Sequence, residues 1–123
     1  MARDHRKLRV FQLADELVIE VYRITRRLLR EERFGLQAQL RRAAVSSAVN
    51  IVEGSARRTT RDYLHFLSMS LGSASETRYL LDLACRLELL PEPEAASLAT
   101  RYTELIRGLQ RLMDALRPEA RNP

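Results

Sequence analysis

Val10-Phe-Gln-Leu-Ala-Asp-Glu-Leu-Val-Ile-Glu-Val-Tyr-Arg-Ile-Thr-Arg-Arg-Leu28 decides the fold. Its apolar residues Val10, Ala14, Leu17, Val21, Ile24 and Leu28 return every three or four positions, and Phe11, Val18, Tyr22 and Leu29 widen the stripe. That period is the signature of an amphipathic helix with one face turned to a core, here over about 8–29. Working outward, Arg30-Glu31-Glu32-Arg33 breaks the pattern and Phe34-Gly35 marks a turn. Leu36, Leu40, Ala43, Ala44, Ala48 and Ile51 then restart it over about 35–57. Asp62 follows Thr59 by three positions, as in a capping box, and opens a third helix over about 60–90 that Pro91 stops. Pro93 and Glu94 suit the first turn of a fourth, over about 93–116, where a missing N–H costs nothing and a carboxylate complements the helix dipole. Beyond it, Arg117-Pro118 begins a polar tail expected to fray.

Connections this short make neighbouring helices antiparallel, so residues 1–123 are expected to form one all-α domain, an up-down-up-down antiparallel four-helix bundle. Composition agrees: 46% of the 123 residues are hydrophobic, with only four glycines, four prolines and 6% aromatics. No window approaches the roughly 18 consecutive apolar residues that cross a bilayer. The opening Met-Ala-Arg-Asp-His-Arg-Lys has no apolar stretch of a signal peptide, so the expectation is a cytoplasmic protein with no membrane partner. Cys85, the one cysteine, excludes an intrachain disulfide and reads as a small buried thiol.

Folding the chain about positions 58 and 59 pairs residues of helices two and three whose numbers sum to roughly 117. Ala43-Ala44 and Ser46-Ser47-Ala48 then face Ser68, Ser70 and Gly72-Ser73-Ala74, a close crossing of small side chains. Arg41 and Arg42 fall opposite Glu76 and Ser75, which suggests an Arg–Glu staple. Helix three carries more apolar surface than one core stripe absorbs, so Tyr63, Phe66, Leu67 and Met69 are expected to form a homo-oligomer interface.

Phe34-Gly-Leu-Gln-Ala-Gln-Leu-Arg-Arg-Ala-Ala-Val-Ser46, then Asn50-Ile-Val-Glu-Gly54 and Arg57, with Phe66-Leu67, Gly72-Ser73 and Glu76, resembles the four-helix bundle family of 23S ribosomal RNA intervening-sequence proteins. With Phe11-Gln-Leu-Ala14 the likeness spans nearly the whole chain. It implies short bundles assembled as cyclic pentamers. It also implies kinship with the accessory proteins of diversity-generating retroelements, which bind nucleic acid and a reverse transcriptase. This chain departs from the family pattern in three places. Ser47-Ala48 stands where an apolar residue and proline are frequent, which softens any kink in helix two. Val52 replaces a common alanine, and Thr77 a frequent leucine.

The net charge of +5 is unevenly spread: residues 1–61 hold fourteen basic against seven acidic residues, and residues 62–123 seven against nine. Every basic residue but Lys7 is arginine, whose planar fork suits phosphate. Arg26, Arg27, Arg30, Arg41, Arg42, Arg57, Arg58 and Arg61 are therefore the candidate nucleic-acid-binding residues, repeated around an oligomer and acting with little sequence specificity. The competing reading is that they solvate helical faces and pair with Asp15, Glu16, Glu20, Glu31 and Glu32. Asn50, Glu53 and Arg57 share one side of helix two, with Gly54 permitting close approach. With Glu76 they are read as a structural polar network in which Glu53 pairs with Arg57 and Asn50 bonds a neighbouring helix.

No Gly-rich phosphate loop, His-Glu-x-x-His motif or nucleophile with an evident base is present, so no catalytic residue, metal or cofactor is assigned. Asp62 and His65 lack the additional glutamates and histidine of a di-iron bundle, and His5 reads as a surface residue. The expected function is that of a non-enzymatic oligomeric bundle that binds RNA or DNA. The alternative is an adaptor for a protein partner.

Overall fold

The computed structural model describes residues 3–121, so the first two and last two positions of the expected domain, including the end of its polar tail, lie outside the described residues. The chain forms four helices: α1 (Arg9–Thr25), α2 (Leu36–Ser55), α3 (Thr60–Arg86) and α4 (Glu92–Arg121). Short 3-10 turns at His5–Lys7 and Arg30–Glu32 complete the described secondary structure, which contains no strand.

Each helix turns one stripe inward. Ala14, Leu17 and Val21 of α1 meet Leu40, Ala44 and Ile51 of α2, Leu67, Ala74 and Leu81 of α3, and Tyr102, Leu105 and Leu109 of α4, all fully buried. Sequence neighbours pack against one another and α4 closes back on α1, whereas the diagonal pairs make no close backbone contact among the described residues. Cross-helix contacts give the direction of each pair. Ser70 Oγ donates to the Ser47 carbonyl at 2.6 Å, and the Ser46 and Ser73 hydroxyls share a hydrogen bond of 2.9 Å. Between the outer helices, Arg27 pairs with Glu94 and Arg101 with Glu16. In both pairs, residue numbers rise on one helix as they fall on the other, so neighbours are antiparallel.

The helix ends differ from expectation for local reasons. α1 stops at Thr25, four residues early, where the N–H groups of Arg27 and Leu28 bond the Ile24 and Thr25 carbonyls in tight three-residue turns, both at 3.1 Å. Leu28 still packs against the core from the loop, while Leu29 is exposed. α2 runs unbroken through Ser47-Ala48, where no proline interrupts it.

α3 ends at Arg86, before Pro91 can act. Glu88 adopts a left-handed backbone, φ 59°. The N–H of Leu89 bonds the Ala84 carbonyl and that of Glu88 the Cys85 carbonyl, both at 2.9 Å, the paired bonds of a Schellman cap. Glycine usually occupies that position because a Cβ there crowds the following carbonyl. Glu88→Gly is therefore expected to raise stability by about 1 kcal/mol, measured by chemical denaturation.

α4 continues through Pro118 to Arg121, past the expected end at 116. Proline's fixed φ is itself helical, so it removes one hydrogen bond without ending the exposed last turn.

Candidate nucleic-acid interface

The eight candidate arginines do not form one stripe. A helix of twenty residues is about 30 Å long, and the candidates divide between its two ends. At the end holding the α1–α2 turn, Arg26 and Arg30 are exposed, Arg27 pairs with Glu94, and nearby Arg23 pairs with Glu20 at 2.7 Å. Glu31 and Glu32 share this end, so its charge is largely offset.

Arg41 faces inward rather than out. Its Nε donates to Thr25 Oγ1 at 2.9 Å, its Nη2 to the Tyr22 carbonyl at 3.3 Å, and its guanidinium lies 4.4 Å over the Tyr22 ring. This corrects the expected staple to Glu76: Arg41 ties α2 to α1, on the side of α2 away from α3. Arg42 is exposed and, among the described residues, makes no ion pair.

The opposite end, at the α2–α3 turn, is different. Arg57 lies 4.5 Å over the Phe66 ring, and Arg58 and Arg61 project into solvent. Three further arginines join them. Arg3 bonds the Ser55 carbonyl through its backbone N–H at 3.0 Å, and its guanidinium reaches the Arg57 carbonyl at 3.4 Å and Thr60 Oγ1 at 3.3 Å. The same guanidinium lies 4.2 Å over the Tyr63 ring. Arg117 and Arg121 arrive from the last turns of α4 and border the same groove as Arg58 and Arg61. Sequence reading missed these three, although the topology itself carried the signal: in an up-down-up-down bundle both chain ends return to the α2–α3 turn.

The polar network also takes another form. Asn50 Nδ2 bonds the Ser46 carbonyl at 2.8 Å and Ser46 Oγ at 3.1 Å, within its own helix, and reaches α3 only through the Ser46–Ser73 bond. Glu53 and Glu76 are exposed and, among the described residues, form no ion pair. The Glu53–Arg57 pair is replaced by the stacking of Arg57 on Phe66. Gly54 does permit a close approach, since a Cβ there would lie 2.8 Å from Phe66 Cβ and 3.1 Å from Tyr63 Cδ1.

Two of the four expected interface residues need correction. Tyr63 and Leu67 are 1% and 0% exposed, because they occupy the i, i+4 positions of α3's own core stripe and have no surface left for a partner. Phe66 is half-buried, and Met69 is exposed.

Among the described residues, no group of three or more His, Cys, Asp or Glu side chains converges. Asp62 and His65 are both exposed, and His65 packs edge-on against Phe66. His5 packs edge-on against Phe11. Burial, with help from Glu92 and Asp82, raises the pKa of the half-buried Cys85 thiol, the reverse of what a nucleophile needs. Burial likewise raises the phenols of Tyr63 and Tyr102, so neither serves as an acid or base near neutrality. No described helix is long and apolar enough to cross a membrane.

Fold and surface define a class: a small all-helical bundle whose distinctive chemistry is an arginine-rich end. The chain belongs to the 23S rRNA-intervening sequence protein family, whose model matches residues 6–111. It is also similar to the crystal structure of a protein of unknown function from the S23 ribosomal protein family of Bacteroides thetaiotaomicron. That protein is 25% identical, with a TM-score of 0.79 over 85% of this chain and 97% of that one. No curated protein matches the chain.

Proposed function

We propose that this chain is a non-enzymatic, cytoplasmic, homo-oligomeric bundle that binds RNA or DNA through its arginines with little sequence preference. The observation that carries this reading is the convergence of Arg3, Arg57, Arg58, Arg61, Arg117 and Arg121, from three separate chain segments, on one end of the bundle. Arginine clusters of this kind bind phosphate backbones by releasing condensed counterions. The family's link to a ribosomal RNA intervening sequence favours RNA among the polyanions. Oligomerisation is supported by the apolar side chains of Val49 and Met69, which are exposed on the outer side of the α2–α3 pair. A ring, a pentamer as the family resemblance implies, would repeat the basic end and add avidity.

Filter binding to a structured RNA and a duplex DNA, with the assembly sized by light scattering in the same buffers, tests the reading. Affinity should fall about 50-fold or more between 50 and 200 mM salt. A salt-independent profile, or no binding at low salt, would refute the reading. It would leave the protein-adaptor alternative, which the exposed Phe34, Leu29 and Leu87 at the far end of the bundle favour.

A further inference from the structure

The arginine-rich end is a groove rather than a convex patch. Arg58 of the α2–α3 turn and Arg61 of the first turn of α3 line one side, and Arg117 and Arg121 of the last turns of α4 line the other. Leu64 and Pro118 supply an apolar floor between them. The groove is open to solvent along its length and its volume is about 1250 Å³, larger than the 300–1,000 Å³ of ordinary small-molecule pockets, which suits a segment of polymer.

The charge balance favours an anion. Arg117 pairs with Asp114, but among the described residues Arg58, Arg61 and Arg121 enter no ion pair. Among the described residues, Glu119 is the one carboxylate lining the groove, and Asp62 stands nearby on the first turn of α3. Thr59 caps the Asp62 N–H at 3.1 Å, and among the described residues the N–H groups of Thr60 and Arg61 make no hydrogen bond at the positive end of the α3 dipole.

Resting on the nucleic-acid reading above, we propose that this groove holds a single-stranded polynucleotide, with phosphates against the arginine walls and a base or sugar on the Leu64–Pro118 floor. The floor makes the distinction. A duplex presents phosphates on its convex outside and hides its base faces, so it reaches the rims but leaves the floor unused. A single strand exposes both chemistries at once. Bordering one strand with four arginines should give a salt slope of about −3, at roughly 0.7 counterions released per phosphate contact.

The test uses fluorescence anisotropy with labelled oligo(U) RNA, oligo(dT) DNA and a duplex of matching length. Four proteins are compared: wild type, R61E/R121E, L64E and a control, R107E/R111E, which makes the same charge change on exposed α4 residues outside the groove. Circular dichroism confirms the helical content of each. Either single strand, RNA or DNA, should bind about tenfold more tightly than the duplex, a difference near 1.4 kcal/mol. R61E/R121E should lose about tenfold or more and roughly half the salt slope, L64E should lose the single-strand preference, and the control should stay within about twofold. Equal affinity for duplex and single strand, equal loss in the control, or displacement of oligo(U) by polyglutamate at equal concentration overturns the groove assignment while nucleic-acid binding stands. Absence of any binding in wild type at low salt overturns the broader reading, and the groove with it.

Discussion

Gly54→Ala is expected to lower the melting temperature by roughly 5–10 °C, whereas Gly72→Ala raises it by a few degrees. Both glycines lie inside helices, where alanine is favoured by about 0.5–1 kcal/mol, so propensity alone gives the same sign twice. The surroundings separate them. At Gly72 a Cβ meets nothing within 4 Å, and the gain is kept. At Gly54 it would sit 2.8 Å from Phe66 Cβ and 3.1 Å from Tyr63 Cδ1. A Cβ is fixed one bond from the backbone, so no change of Phe66 rotamer relieves the first contact. α2 and α3 must move apart instead, which loosens the stacking of Arg57 on Phe66 and strains the Ser47–Ser70 bond two turns away. Overpacking of this kind costs about 1–3 kcal/mol, enough to outweigh the propensity gain. Thermal unfolding followed by circular dichroism reads both variants. A Gly54→Ala protein as stable as wild type would show that this contact does not set the α2–α3 spacing.

That crossing was also the most legible part of the fold. A single arithmetic rule, the turn at positions 58 and 59, sets Ser46-Ser47-Ala48 against Ser70 and Ser73, and Ser47–Ser70 and Ser46–Ser73 do meet. The rule gives axial level and nothing about rotation. Arg41 lies at the level of Glu76, yet its side chain leaves α2 on the α1 side, since Leu40 and Ala44 claim the core and the serines of 46 and 47 claim α3. The same blindness to rotation turned Tyr63 and Leu67 into interface candidates. Their neighbours Phe66 and Met69 flank the core stripe, but i, i+4 spacing puts Tyr63 and Leu67 in it.

The basic end is legible only in part, because charge summed along the chain is blind to which segments meet in space. Arg117 and Arg121 belong to the half with a net acidic count, and Arg3 to the far terminus, yet all three return to the α2–α3 turn in space. Pro91 marks the end of α3 four residues late, since the left-handed position that ends it is filled by Glu88 and not by the glycine that usually marks one.

Arg41→Ala is expected to cost about 2–3 kcal/mol, while Arg42→Ala, the same loss of charge one residue on, stays within about 0.5 kcal/mol. The difference lies in what each guanidinium touches. Thr25 is fully buried, and its hydroxyl proton is given to the Val21 carbonyl at 2.7 Å, which leaves its oxygen free to accept. Arg41 Nε fills that acceptor site, and Nη2 reaches the Tyr22 carbonyl in the last turn of α1, where the helix leaves carbonyls without amide partners and the dipole is negative. Stacking on Tyr22 adds the attraction of a cation for the ring face. Alanine removes all three interactions and leaves a buried oxygen under-satisfied, whereas hydrogen bonds from a charged donor are worth about 1.5–3 kcal/mol. Lysine should restore little, because an ammonium lacks the planar fork that serves two acceptors and lies flat on the ring. Urea denaturation of the three variants measures the effect as a shift in midpoint. Equal shifts for Arg41→Ala and Arg42→Ala would mean that the inward arginine is held no more firmly than an exposed one, and α1 would then rely on apolar packing and the 3.2 Å bond from Gln37 Nε2 to the Thr25 carbonyl for its attachment to α2.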